Sequence, residues 1–169
     1  MMVSGLSAKE VEVVSFLEFE KKYYFARKDV EKFFKNRSLM NYYLHKLMKK
    51  KRIIKLNKSR YFLVPIKAKK GFWAEHPLVL VDEMMNGSDY FVGGAYAKYY
   101  WKFIEQIPRE IDVYTTKRQG SRRIFNVKIN FHRTTRNNLK NAVVRRMMGR
   151  SFFILNKNKI AKESKWQWN

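Results

Sequence analysis

Two groups of residues in this 169-residue chain combine types and spacings that chemistry can use. In the first, Ser38, Asn41, Tyr42, His45 and Lys49 recur at helical spacing, with Arg37 just ahead of them. An α-helix gathers such positions on one side. That side carries hydrogen-bonding groups, not a plain Glu/Lys mixture. An Asn amide can bind adenine through two hydrogen bonds, and an Arg guanidinium can bind guanine in the same way. In the second group, Glu110 and Asp112 flank Ile111 and follow Gly93-Gly94. On a strand the two carboxylates point the same way. Paired carboxylates beyond a Gly-Gly turn can hold a divalent metal against nucleotide phosphates, the arrangement used for nucleotidyl transfer.

The wider sequence weighs against the enzymatic alternative. Residues 113–162 contain no acidic side chain, so no third carboxylate follows Asp112, and the gap from Gly94 to Glu110 is long for such a motif. His45, His76 and His132 have no regular ligand spacing, and there is no cysteine. No metal site, cofactor or catalytic residue is therefore expected. His76, just ahead of Pro77, is expected at a helix start.

Charge supports the first group. Lys and Arg number 37 against 14 Asp and Glu, a formal net charge of +23. The signs are segregated: residues 35–60 hold ten basic side chains and no acid, and residues 113–162 hold fourteen and no acid. Such segregation is the footprint of a phosphate-binding face. Lys46, Lys49, Lys50, Arg52, Lys58 and Arg60 are the expected phosphate contacts, which set register and affinity without reading sequence. Lys117, Arg118, Arg122 and Arg123 form a second expected basic patch around a turn. No run of apolar residues is long enough to span a membrane, and the N-terminus lacks the pattern of a signal peptide. A cytoplasmic protein is expected.

The elements that must position these residues follow from periodicity. Ser7 and Glu10 have the spacing of a capping box ahead of a helix in which Val13, Phe16, Leu17 and Glu20 share one stripe, with Val11 and Val14 alongside, so a broad buried face is expected. Residues 21–25 form a connector or short strand. A second helix covers about Arg27 to Phe34, and a tight polar break follows. Ser38 is the expected N-cap of a third helix that runs to about Lys50 and buries Met40, Tyr43, Leu44 and Leu47. Arg52–Leu56 and Tyr61–Val64 read as a β-hairpin closed by residues 57–60. Helix, helix, short turn, helix and basic hairpin is the order of a winged helix-turn-helix, here over residues 1–66. Its third helix would enter the major groove and its hairpin would lie on the backbone.

Residues 66–71 read as a linker to a small α+β domain over 72–169, so the expected class is α+β. Pro77 opens a helix that Asn86-Gly87 stops. A helix over Ala95 to about Phe103 and a strand over Ile111–Thr116 follow. Ile124, Val127, Ile129 and Phe131 suggest one strand, and residues 135–149 a helix with Leu139, Val143 and Met147 in line. Ser151–Leu155 reads as a strand, 156–159 as a turn, and the Trp166/Trp168 tail as a docking segment. Tyr96, Tyr99, Tyr100 and Trp101 can stack on bases, but at helical spacing they read as core.

On these residues the chain resembles the AbiEi-type antitoxins. The winged-helix pattern, the linker and Tyr90-Phe91-Val92-Gly93-Gly94-Ala95-Tyr96-Ala97 resemble the family's order. So do Glu105-Gln106-Ile107-Pro108, the strand Ile111–Thr116, the basic turn with Arg118, Arg122 and Arg123, and the strand Ile124–Phe131. The resemblance spans roughly residues 7–132. Gly94 stands where the family pattern has serine, Tyr96 and Tyr99 are aromatic where it has Leu-type residues, and the region after Arg133 is short. The resemblance implies a DNA-binding repressor of its own operon. It also implies pairing with a nucleotidyltransferase-like toxin whose effect is countered without a stable complex. Double-stranded DNA is the expected partner, and the second domain is expected to supply further phosphate contacts, self-association as a homodimer, or both. A binder of RNA or single strands is the remaining alternative.

Overall fold

The computed structural model describes residues 5–66, 68 and 76–165. Lys67 and residues 69–71 of the expected linker, and Trp166 and Trp168, lie outside the described residues. The chain is mixed α+β and divides into two compact units, Met1–Ala74 and Glu75–Asn169.

In the first unit, helix α1 (Ala8–Phe19) leads to strand β1 (Tyr24–Ala26), helix α2 (Arg27–Val30) and a 3-10 turn (Glu31–Phe33). Helix α3 (Arg37–Lys49) and strands β2 (Ile53–Lys55) and β3 (Arg60–Leu63) follow. The segment after α1 is thus a strand. It pairs antiparallel with β3, which also pairs with β2, giving the order β1-β3-β2. Cross-strand aromatic pairs hold the register: Phe25 stacks on Tyr61 at 5.5 Å, and Tyr24 meets Phe62 edge-on at 5.0 Å. Val13, Val14, Leu17, Val30, Met40, Leu44, Leu47 and Ile53 complete one apolar core. Val11 faces solvent, so the buried stripe of α1 is narrower than its sequence suggests.

One charge sits inside this core. Glu10 is fully buried. Its Oε2 accepts the Ser7 backbone N–H at 2.6 Å and the Lys50 ammonium at 2.6 Å. The expected capping box therefore forms, with Glu10 reaching back to the N-cap backbone. Burial pushes the Glu10 carboxyl up, but the hydrogen bonds from Lys50 and Ser7 together outweigh it and hold the group below its ordinary value. Lys50 caps the C-terminus of α3, so the pair ties the start of α1 to the end of α3.

The second unit is built on a six-stranded sheet of order β6-β7-β5-β4-β9-β8. Its elements are α4 (Pro77–Met85), β4 (Tyr90–Gly93), α5 (Gly94–Tyr100), β5 (Glu110–Thr115), β6 (Gly120–Ile124), β7 (Val127–Arg133), α6 (Arg136–Leu139), β8 (Ala142–Met147), β9 (Arg150–Leu155) and α7 (Lys157–Lys165). His76 caps α4, its Nδ1 accepting the Leu78 N–H at 3.3 Å, and Asn86 ends the helix in the left-handed conformation. Leu78 to Val81, Met84 and Met85 are buried. Tyr90 donates its hydroxyl to Asp82 at 2.8 Å and accepts the Phe153 N–H at 3.2 Å, linking α4, β4 and β9.

Four expectations are corrected here. Residues 135–149 are not one helix: only Arg136–Leu139 is helical, and Ala142–Met147 is an edge strand paired with β9. The β-branched Val143-Val144 favour a strand, and Met148 and Gly149, both at positive φ, form the two-residue turn that a β-hairpin prefers. Ile124 and Val127 belong to different strands, because Phe125-Asn126 reverses the chain between them. The segment 156–159 begins helix α7, with Asn156 Oδ1 accepting the Asn158 N–H at 2.9 Å. The helix after Gly94 ends at Tyr100 instead of Phe103, since Lys102 takes a left-handed conformation.

The buried ion pair gives a first prediction. Lys50→Ala leaves Glu10 charged and unpartnered in the core and should destabilise the first unit by about 3 kcal/mol. Glu10→Gln in the same chain should restore part of that loss. Because the folded carboxyl titrates below its unfolded value of 4.5, its contribution is present above that pH and is lost as pH falls through the folded value. Denaturant titrations followed by far-ultraviolet circular dichroism at neutral and acid pH check both points.

Candidate nucleic-acid interface

Helix α3 divides cleanly into two sides. Met40, Leu44 and Leu47 are buried, whereas Arg37, Ser38, Asn41, Tyr42, His45 and Lys49 are exposed. The five expected base-reading residues therefore share one open surface. The helix begins two residues earlier than expected: Asn36, not Ser38, is the N-cap, its Oδ1 accepting the Leu39 N–H at 2.8 Å. Arg37 and Ser38 consequently lie in the first turn, where backbone N–H groups and the helix dipole favour an anion. Tyr43 is half-buried and stacks on Phe34 at 5.5 Å, and Tyr42 meets Tyr43 edge-on at 5.3 Å. The Lys46 ammonium lies 5.3 Å from the Tyr42 ring centre, which holds this cation beside the exposed tyrosine.

The β2–β3 hairpin adds further cations. Asn57 Oδ1 accepts the backbone N–H groups of Ser59 and Arg60 at 2.8 and 2.9 Å, which fixes the loop. Lys58 at its tip is exposed, and Arg52 and Arg60 are half-exposed. Arg27 is a residue that sequence reasoning missed. Its guanidinium donates to the Lys58 carbonyl at 3.1 Å and lies 5.8 Å from the Tyr61 ring centre, joining α2 to the hairpin tip. Nothing local in the sequence marks this contact, which spans 31 residues. Lys50 differs from the other expected phosphate contacts. Its ammonium is committed to Glu10 and to the Gly5 carbonyl and is only 13 % exposed.

In the second basic group Arg118 and Arg122 lie close enough to interact, whereas Lys117 and Arg123 take other directions. Strands β5 and β6 are not neighbours, because β7 runs between them, so the four cations do not crown a hairpin. Lys117 turns toward Asp89 at 3.9 Å, and the Arg118 guanidinium lies 3.5 Å from the Phe131 ring centre. Burial, with a smaller contribution from Arg122, lowers the Arg118 pKa from its ordinary value. Arg122 and Arg123 occupy successive positions of β6 and point to opposite faces of the sheet.

The carboxylates of the alternative reading share one face of β5. Glu110 accepts Lys128 at 2.8 Å and Asn130 at 2.7 Å, and Asp112 is 2.7 Å from His132 Nε2. Gly94 lies directly against Asp112: a Cβ there would sit 2.5 Å from Oδ2. Among the described residues, no three His, Asp or Glu side chains are grouped to hold a metal ion. Of the aromatic cluster on α5, Tyr96 is buried, Tyr100 meets Phe152 edge-on at 5.5 Å and Trp101 donates to the Leu155 carbonyl at 2.9 Å.

No protein-family model matches the chain, and comparison with curated proteins gives no match. Among the described residues, no helix is long and apolar enough to cross a membrane.

The start of α3 is open to test. Asn36→Ala removes the cap and should lower stability by about 1 kcal/mol, and Asn36→Asp should retain it. Thermal unfolding of the two variants against the parent chain checks this.

Proposed function

We propose that the first unit is a winged helix-turn-helix module that binds double-stranded DNA, with α3 in the major groove and the β2–β3 hairpin on the backbone. The observation that carries this reading is the division of α3. Arg37, Ser38, Asn41, Tyr42 and His45 are open together on one side, and the opposite side is fixed in the core. The order helix, strand, helix, turn, helix, hairpin, with β1 closing the hairpin into a three-stranded sheet, supports it. So does the acid-free run 35–60, in which Lys46, Lys49, Arg52, Lys58 and Arg60 can meet phosphates. Together with the resemblance to AbiEi-type antitoxins, these features support a regulator that represses its own operon. Self-association and functional pairing with a toxin without a stable complex belong to the same proposal.

Two measurements test it. Asn41→Ala and His45→Ala should each weaken binding to the cognate duplex by about 2 kcal/mol while barely changing binding to unrelated duplexes. An equal loss on all sequences would remove these residues as readers. Lys49→Ala with Lys58→Ala should weaken binding to every duplex and reduce the slope of log K against log salt by about 2. A slope equal to that of the parent chain would take these cations out of the interface. Footprinting on the protein's own promoter supplies the cognate site.

A further inference from the structure

The second unit contains a recess of about 740 Å³ that the DNA reading does not use. Its apolar wall is formed by Phe91, Tyr114 and Leu155, and Thr134, Asn138 and Asn141 supply hydrogen-bonding groups. Three cations from separate elements line it: Lys98 from α5, Arg133 from the end of β7 and Lys159 from α7. They lie 61 positions apart in sequence at the extremes, so the fold and not a local charge run brings them together.

The recess is braced. Tyr114 is held face to face with Phe91 at 5.1 Å and with His132 at 4.9 Å. Gly93 makes room for this ring: a Cβ there would stand 2.7 Å from Tyr114 Cε2. Because both faces of Tyr114 are covered, its ring offers an edge to the recess and not a stacking platform. On the far side, Asn138 donates to Thr134 Oγ1 at 3.1 Å and Asn141 to the Asn138 carbonyl at 3.1 Å, which holds the loop after Arg133 in shape. Asp112 approaches the same end beside Gly94, and His132 is hydrogen-bonded to it.

We infer that this recess binds the phosphoryl groups of a small phosphorylated ligand of nucleotide size. Converging cations match the charge of a phosphate chain, and an Arg guanidinium binds phosphate oxygens in pairs. The volume falls within the range of small-molecule sites, and the apolar wall can cover the uncharged part of such a ligand. A nucleic-acid backbone presents the same phosphates but follows ridges and open grooves. A recess whose cations come from three separate elements, and not from one continuous ridge, favours the small ligand.

The test uses the full chain and two probes, ATP and a ten-nucleotide oligothymidylate, titrated by calorimetry. ATP is expected to bind at one saturable site, and Lys98→Ala with Arg133→Ala should weaken it about tenfold or more. Lys159→Glu, an exposed change on another element, should weaken it as well. The charge-matched control, Lys49→Ala with Lys58→Ala in the first unit, should leave ATP binding unchanged, and oligothymidylate binding should survive the Lys98/Arg133 change. The inference is overturned if ATP does not saturate, or if the control pair weakens ATP as much as the Lys98/Arg133 pair. Parallel loss of oligothymidylate and ATP would overturn it too, assigning these cations to a nucleic-acid backbone. Circular dichroism of each variant confirms that the fold is kept, and the DNA reading stands or falls separately.

Discussion

A carboxylate with no solvent exposure governs the architecture of the first unit. Glu10 cannot stay ionised in an apolar core without partners, and its partners are the backbone N–H of the N-cap Ser7 just ahead of its own helix and an ammonium at the far end of α3. Satisfying it sets where α3 ends relative to where α1 begins. With that end fixed, Met40, Leu44 and Leu47 enter the core, and the remaining side of α3 has nowhere to go but outward. The chemistry assigned to Arg37, Asn41 and His45 thus depends on an ion pair that none of them touches.

Much of the first unit could be read from periodicity, because α3 has one apolar stripe and an acid-free surround. The boundaries were harder. Asn36 and Ser38 are both good caps, and the backbone chose the earlier one, shifting Arg37 into the first turn. Strand β1 has only three residues, and its partners lie more than thirty positions away, so no window along the chain contains the reason for it. Lys50 looks like its basic neighbours in sequence, and only its position opposite Glu10 sets it apart.

The second unit was less legible for a specific geometric reason. Leu139, Val143 and Met147 are four apart, which fits a helical face, but four is also an even number and fits one side of a strand. The Met148-Gly149 turn and the pairing with β9 decide in favour of the strand. Similarly, the turn at Phe125 carries a positive φ on an aromatic residue, which no turn signal announces. The recess lined by Lys98, Arg133 and Lys159 was invisible for the same kind of reason: its walls come from seven elements.

The six-stranded sheet ends in β6 on one side and β8 on the other, and both carry adjacent arginines, Arg122-Arg123 and Arg145-Arg146. Unpaired strand borders are natural templates for joining a second chain, and positive charge along them opposes such joining. Polyanions that coat these borders weaken that opposition. A cationic strand border therefore makes colloidal behaviour depend on what coats it, because the same few guanidinium groups that hold edges apart are the ones a polyanion neutralises.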